Sequence, residues 1–240
     1  MRHAGSALPY GGSVPAAAFL VRAVLFDMDG TLIDSTPAVD RAWATWEQRW
    51  DVRLGVRASA LGRPARDIVA ERVPAADAEA AFLDIERLEV ADTDGIVVLP
   101  GVRELLAALP ADRWAVATSC SAPLAAARLA ATGIEPPVLV TASDTALGKP
   151  NPDPYLAADE RLGVRPEECL VVEDAVAGVT AGRAAGCATL GVLGSVPGET
   201  LGADAVAPDL AAVRVERVGD LLRVAVDQRA ADPDRKMSRT

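Results

Sequence analysis

The sequence predicts an α/β fold with a parallel sheet, helices on both of its faces, and an inserted helical segment. Short apolar runs bounded by turn residues alternate with segments whose apolar residues recur at helical spacing. This alternation is typical of parallel strands joined by crossover helices. Residues 35–97 carry helical patterns and no good strand, although a crossover needs far fewer residues. We therefore expect a core with an all-helical cap inserted after its first strand.

Five segments are predicted as buried strands because they are short, apolar, rich in β-branched residues and flanked by turns. They are Val21–Phe26, Trp114–Thr118, Val138–Thr141, Leu170–Val172 and Thr189–Leu193. Apolar residues at helical spacing predict four helices in the same region: Gly101–Leu109, Pro123–Thr132, Pro154–Leu162 and Ala175–Ala185. The core domain is accordingly expected at residues 21–34 and 98–226.

The cap domain is expected at residues 35–97, with helices at Pro37–Trp50, Ala65–Arg72 and Ala75–Val90. Residues 1–20 are predicted to be a disordered leader, because prolines and glycines interrupt an apolar part too short for a membrane span or a convincing signal peptide. Residues 227–240 are predicted to be a loose polar tail.

The composition excludes several classes of function. A formal net charge of −10 argues against general binding to nucleic acid or to an anionic membrane. The single histidine, His3, lies in the predicted leader, which excludes Ser-His-Asp or Cys-His catalysis and a His-ligated zinc in the body. The 3 cysteines show no Cys-x-x-Cys spacing, so neither a disulfide framework nor a thiolate zinc site is indicated, and a reducing cytoplasm is expected.

Lysine usage draws attention to one position. Among 24 basic residues only Lys149 and Lys236 are lysines, and Lys236 lies in the predicted tail. A position that stays lysine in an arginine-rich chain suggests a need for a compact ammonium group. Chance retention is the alternative.

Polar side chains follow four consecutive predicted strands of the core. Asp27 and Asp29 follow the first, Ser119 and Cys120 the second, Lys149 the third, and Glu173 and Asp174 the fourth. Ligands bind beyond the carboxyl ends of parallel strands, so these groups are expected at one edge of the sheet. A turn or a helix cap could explain each of them singly. Taken together, they favour a functional site.

The residue types indicate phosphoryl-transfer chemistry. Several carboxylates without histidine or cysteine ligands suit Mg²⁺, which prefers oxygen. The metal, Lys149 and the groups near Ser119 could neutralise a phosphate dianion. One aspartate could attack phosphorus, and a second, two residues on, could protonate the leaving oxygen and later activate water.

The segment from Asp27 to Ser35, Asp-Met-Asp-Gly-Thr-Leu-Ile-Asp-Ser, resembles the first motif of the haloacid dehalogenase superfamily of phosphohydrolases. Ser119, Lys149 and the Glu173-Asp174 pair are similar to its second, third and fourth motifs. The resemblance implies a three-layer α/β/α sandwich with a Rossmann-like sheet, a helical cap of the first type, and Mg²⁺. It also implies roles for the residues. Asp27 is expected to be the nucleophile and Asp29 the general acid and base, and Ser119 and Lys149 are expected to bind phosphate. Cys120, next to Ser119, is expected to be a phosphate-binding residue as well. The implied metal ligands are Asp27, the Asp29 carbonyl and Asp174, with Glu173 close by or ligating.

Within the superfamily, the segments around Ser119, Lys149 and Glu173 resemble the sugar-phosphate and glycerol-phosphate phosphatases. The similar β-phosphoglucomutases usually have a histidine where this chain has Val39, which favours hydrolysis. Gly62 and Arg63 resemble the cap loop that selects the substrate, although a solvated surface arginine is the alternative.

We therefore expect a cytoplasmic, Mg²⁺-dependent phosphatase of small phosphorylated sugars or polyols, monomeric and without nucleic-acid or membrane partners. A β-phosphoglucomutase-like phosphotransferase is the second hypothesis. A catalytically idle scaffold that binds a metabolite or partner is the third.

Overall fold

The computed structural model describes residues 17–55, 65–194 and 197–227. The strands within these ranges are β1 (Ala17–Val21), β2 (Ala23–Phe26), β3 (Ile33–Asp34), β4 (Val97–Val98), β5 (Trp114–Ala117), β6 (Leu139–Val140), β7 (Cys169–Glu173), β8 (Ala188–Val192), β9 (Ala205–Ala207), β10 (Val213–Val218) and β11 (Leu221–Val226). The helices are α1 (Thr36–Trp50), α2 (Ala65–Arg72), α3 (Ala78–Ala91), α4 (Val102–Ala108), α5 (Ala122–Thr132), α6 (Asp153–Leu162), α7 (Val176–Ala185) and α8 (Gly198–Leu201). No helix in the described part of the chain has the length and apolar character needed to cross a membrane.

The central sheet is parallel, with the strand order β6-β5-β2-β7-β8-β9. Every residue of β2, β5 and β7 is buried, as expected for parallel strands covered on both faces. Along β2, Val24 and Phe26 belong to one apolar cluster, and Ala23 and Leu25 to another. Alternate side chains of a strand point to opposite faces, so the two clusters lie on the two sides of the sheet. The predicted α/β fold is confirmed.

A second sheet, which was not expected from the sequence, is antiparallel and has the strand order β1-β11-β10. Ala17 pairs with Val226 and Val21 with Leu222. The prediction of a disordered leader through residue 20 is therefore wrong for residues 17–20, which form a strand. Phe19 packs against the core whereas Leu20 is exposed, the alternation of a strand with one buried face.

The helices α1, α2 and α3 pack around an apolar cluster of their own. Trp46 is fully buried at its centre, and its indole Nε1 donates a hydrogen bond of 2.8 Å to the Ala81 carbonyl. The strands β3 and β4, which connect these helices to the rest of the chain, pair antiparallel with each other. The third helix begins at Ala78 rather than at Ala75 as predicted. Gly62 and Arg63 lie outside the described residues.

Candidate active site

The carboxyl end of β2 opens into a tight turn that begins with Asp27. The Asp27 amide donates to the Val172 carbonyl of the neighbouring β7 at 3.0 Å, which fixes the turn to the sheet. Gly30 has a positive φ of 89°, a conformation that side chains other than glycine rarely adopt. A Cβ at this position would overlap the Asp174 carboxylate. The Asp-Gly pair of the sequence therefore brings the turn after β2 into contact with the end of β7.

Lys149 joins two of the carboxylates at this edge of the sheet. Its Nζ lies 2.5 Å from Asp27 Oδ1 and 2.7 Å from Glu173 Oε1, and the residue is buried. Burial alone would lower the pKa of Lys149, but the charges of Asp27 and Glu173 outweigh it and hold the pKa well above its usual value. Lys149 is therefore a permanent buried cation in this site.

Glu173 is held on both of its oxygens. Besides Lys149, Oε1 accepts a hydrogen bond of 3.0 Å from the Tyr155 hydroxyl, and Oε2 accepts one of 3.0 Å from the Ala175 amide. A Cβ on Gly178 would overlap the same carboxylate, so the glycine lets α7 approach it closely. These contacts make Glu173 a fixed partner for Lys149.

Asp27, Glu173 and Asp174 form the acidic cluster of the site. One carboxylate oxygen from each lies within 4.8 Å of the other two. Burial raises the pKa of Asp27 well above its usual value, with further contributions from Glu173 and Asp174 that Lys149 partly offsets. Buried carboxylate oxygens in excess over the one ammonium suit a hard divalent cation, which would relieve their repulsion. The donor set therefore fits the predicted metal, and we expect Asp27 and Asp174 to be its side-chain ligands.

Asp29, two residues after Asp27, has donors on both carboxylate oxygens. The Ser35 hydroxyl donates to Oδ1 at 2.6 Å, and the Cys120 thiol donates to Oδ2 at 3.2 Å. The Arg128 guanidinium, from α5, lies 2.9 Å from the same Oδ2. The Asp29 side chain is 26% exposed while that of Arg128 is 6% exposed, so Asp29 is held from the protein side and open on the other.

The second-motif residues occupy different environments. Ser119 directly follows Thr118, the residue after β5, and is exposed. Within the described residues, it makes no hydrogen bond to the acidic cluster. Cys120 is buried, its amide donates to the Thr118 hydroxyl at 3.1 Å, and burial raises the pKa of its thiol well above the usual value. Cys120 therefore contacts Asp29 as a neutral thiol.

Arg128 and its partner Glu89 were not among the residues singled out in the sequence. Arg128 is the only charged residue of α5, whose other residues are alanine, leucine, proline and threonine. Glu89 continues the buried stripe that Ala81 and Ile85 form at four-residue spacing on α3. A charged residue in an otherwise apolar helix or stripe is the signal that could have identified both.

The comparisons with known proteins agree with this geometry. The sequence model of the haloacid dehalogenase-like hydrolase family matches residues 21–186. Hexitol phosphatase A of Escherichia coli is 44% identical over an alignment of 187 residues that covers 73% of this chain and 84% of that protein. Glycerol-1-phosphate phosphohydrolase 2 of Saccharomyces cerevisiae is 35% identical over an alignment of 187 residues that covers 72% of this chain and 74% of that protein. The crystal structure of a hydrolase from Pseudomonas syringae superposes with a TM-score of 0.70 at 28% identity, covering 79% of this chain and 94% of that one.

Proposed function

This chain belongs to the haloacid dehalogenase-like hydrolases, and we propose that it removes phosphate from small phosphorylated polyols or sugars through a phosphorylated Asp27. It is a phosphoric monoester hydrolase. The observation that carries the proposal is the buried Lys149 ammonium held between Asp27 and Glu173, with Asp174 beside them. Such a site can accept a phosphate dianion next to a carboxylate nucleophile only because cations offset the repulsion.

The roles that the family resemblance implies for Asp27 and Asp29 give two proton-coupled steps. In the first, an Asp27 oxygen attacks phosphorus, the bond from phosphorus to the substrate oxygen breaks, and Asp29 gives its proton to that oxygen. In the second, Asp29 takes a proton from water, the water oxygen attacks phosphorus, and the bond to Asp27 breaks. Phosphate leaves and Asp27 is restored.

Lys149, Ser119 and the loop amides are expected to bind the phosphate oxygens during both steps. Lys149 stays fixed because Glu173 accepts its second hydrogen bond and cannot rotate away from Tyr155 and the Ala175 amide. Glu173 is thereby assigned to orienting the ammonium.

Mg²⁺ is expected to be held by the carboxylates of Asp27 and Asp174 and by the Asp29 carbonyl, as the family resemblance implies. When bound, the ion would supply charge neutralisation and orientation of the phosphate. The Thr31 hydroxyl donates to Asp174 Oδ1 at 3.2 Å and would fix the direction of that ligand.

A six-carbon polyol phosphate is the substrate we favour. Support comes from the 44% identity to a hexitol phosphatase, against 35% to a glycerol-1-phosphate phosphohydrolase. Val39, partly buried on α1 among the cap helices, stands where the mutases usually have a histidine, which supports hydrolysis.

Phosphate release from sorbitol 6-phosphate, glycerol 1-phosphate and 2-deoxyglucose 6-phosphate tests the proposal, with Mg²⁺ and with a chelator. We expect metal-dependent release, fastest from sorbitol 6-phosphate, and a loss of roughly 10³-fold or more in kcat for Asp27→Asn. Asp112→Asn is the matched control, because Asp112 is exposed and its ion pair within the described residues is with the neighbouring Arg113.

Unchanged release after Asp27→Asn, or in the presence of chelator, would refute the mechanism. Bisphosphate-dependent isomerisation without net phosphate release would instead identify a phosphotransferase of the mutase kind.

A further inference from the structure

A buried ion-pair chain connects the acid–base carboxylate with the helices of the expected cap. Arg128 Nη1 lies 2.9 Å from Asp29 Oδ2 and 3.2 Å from Cys120 Sγ, and Nη2 lies 3.1 Å from Glu89 Oε1. Glu89 belongs to α3 and Arg128 to α5.

The burial of this chain makes it more than a surface ion pair. The side chains of Arg128 and Glu89 are 6% and 7% exposed. A guanidinium is planar and stays protonated, so it presents donors in two fixed directions at once. A buried charge that loses its partner is strongly unfavourable. Moving α3 relative to α5 must therefore move Arg128 with Glu89 or break the pair at a large energetic cost.

The geometry around Asp29 shows what Arg128 can do for the reaction. Ser35 holds one carboxylate oxygen, and Arg128 and Cys120 hold the other. Ser35 immediately precedes α1, whereas Arg128 approaches from α5. Without Arg128, the remaining donors are one hydroxyl and one weakly donating thiol.

We propose that Arg128 is a positioning residue that aims the Asp29 carboxylate at the leaving oxygen, and that Glu89 holds Arg128 for this task. The inference rests on the proposed function, because it gives Asp29 a proton to deliver. It assigns to α3 a part in the chemical step, in addition to any part of the cap in binding substrate. Arg128 itself does not touch the substrate.

Leaving-group dependence separates positioning from a structural role. An alkoxide leaving group needs the proton that Asp29 delivers, whereas p-nitrophenolate leaves readily without one. The parameter kcat/KM reports events up to the first irreversible step, so it isolates leaving-group departure from the later hydrolysis of phosphorylated Asp27. The two probes are p-nitrophenyl phosphate and whichever of sorbitol 6-phosphate and glycerol 1-phosphate is hydrolysed faster.

We expect Arg128→Met to lower kcat/KM for the alkyl phosphate by roughly 10- to 100-fold, part of the full contribution of a general acid. For p-nitrophenyl phosphate the loss should stay below about 3-fold. Glu89→Gln should also lower kcat/KM more for the alkyl phosphate than for p-nitrophenyl phosphate, but by smaller factors than Arg128→Met. Arg128→Lys should lose less activity than Arg128→Met because it keeps the charge. Arg103→Met is the matched control: Arg103 Nη2 donates to the Thr132 carbonyl at the end of α5 without contacting Asp29.

If Arg128→Met lowered kcat/KM equally for both substrates, or for neither, the positioning role would be overturned. Circular dichroism and thermal unfolding of each variant identify any that fail to fold. If Arg128→Met fails to fold, Arg128→Lys and Glu89→Gln decide: leaving-group dependence in both supports the proposal, and its absence in either refutes it.

Asp29→Asn, measured in parallel, distinguishes failure of the positioning role from failure of the proposed function. If Asp29→Asn discriminates between the substrates and the Arg128 variants do not, only the positioning role is wrong. If Asp29→Asn does not discriminate either, the proposed acid–base chemistry is wrong.

Discussion

Asp159 should make the protein less stable at neutral pH than at mildly acidic pH. It is buried on α6, its Oδ2 lies 3.7 Å from the Cys187 thiol, and its Oδ1 has no hydrogen-bond partner among the described residues. Burial raises the pKa of Asp159 to about 6, an effect that the neighbouring Cys169 and Cys187 thiols partly offset. The folded protein therefore keeps a proton on Asp159 at pH values where the unfolded chain has lost it.

The size of this effect follows from the two pKa values. The pKa of Asp159 is 3.8 in the unfolded chain and about 6 in the folded protein. This difference of about two units corresponds to at most about 3 kcal/mol of lost stability above pH 6. The favourable contribution of the neutral form is complete below the unfolded pKa and is lost as pH rises through about 6. Roughly half of the loss develops between pH 5 and pH 7.5.

Replacing the carboxylate with an amide removes the titration while keeping the shape. Asp159→Asn should therefore gain stability over the wild type by about 1.5 kcal/mol more at pH 7.5 than at pH 5. Urea unfolding followed by circular dichroism at both pH values measures this difference. Glu160→Gln, next to it on α6 but exposed, should stay within about 0.5 kcal/mol of the wild type at both. A stability difference between Asp159→Asn and wild type that does not change with pH, or that changes in the opposite sense, would refute the reasoning.

Three further substitutions test contacts around the site and among the helices α1 to α3. Lys149→Met should abolish phosphate release and lower the free energy of unfolding by about 3 kcal/mol, because buried carboxylates lose their cation. Gly30→Ala should reduce kcat at least about 10-fold, because the new Cβ would overlap the Asp174 carboxylate. Gly55 also has a positive φ, but a Cβ there would meet nothing within 4 Å. Gly55→Ala should therefore lower only the free energy of unfolding, by about 1 kcal/mol. Trp46→Phe should cost about 1–2 kcal/mol of unfolding free energy, since the Ala81 carbonyl loses its donor.

Each of these has an outcome that contradicts it. Phosphate release by Lys149→Met near the wild-type rate would remove the ammonium from the mechanism. Equal kcat values for Gly30→Ala and wild type would mean that the turn after β2 can shift without consequence. If Trp46→Phe unfolded at the same urea midpoint as the wild type, the indole hydrogen bond would contribute nothing measurable to the free energy of unfolding.

The site could be predicted from sequence where its residues lie at or after the carboxyl ends of parallel strands. Asp27 follows β2, Glu173 ends β7 and Asp174 follows it, whereas Lys149 lies in the loop between β6 and α6. They come together because the carboxyl ends of parallel strands meet at one edge of the sheet. The predicted family and the predicted parallel sheet are both confirmed. The roles of these residues stay predictions until the variants are measured.

The contacts of Asp29 with Arg128 could not be predicted in this way. Arg128 is 99 positions after Asp29 and belongs to a helix, not to a strand end, so no local pattern brings the two together. Its contact depends on how α5 packs against the turn after β2. Likewise, β1 escaped prediction because pairing with β11, at the far end of the described chain, is what orders it.

The pairing of β1 with β11 also sets an order for events during synthesis. Ala17 and Val226, which face each other in the small sheet, leave the ribosome some 200 residues apart, which at about 5–20 residues per second separates them by roughly 10 to 40 seconds. The parallel sheet can form from β2 through β8 while β1 still lacks its partner. Among the described strands, the first to be made is thus among the last to be paired, because its partner β11 is the last of them to be made.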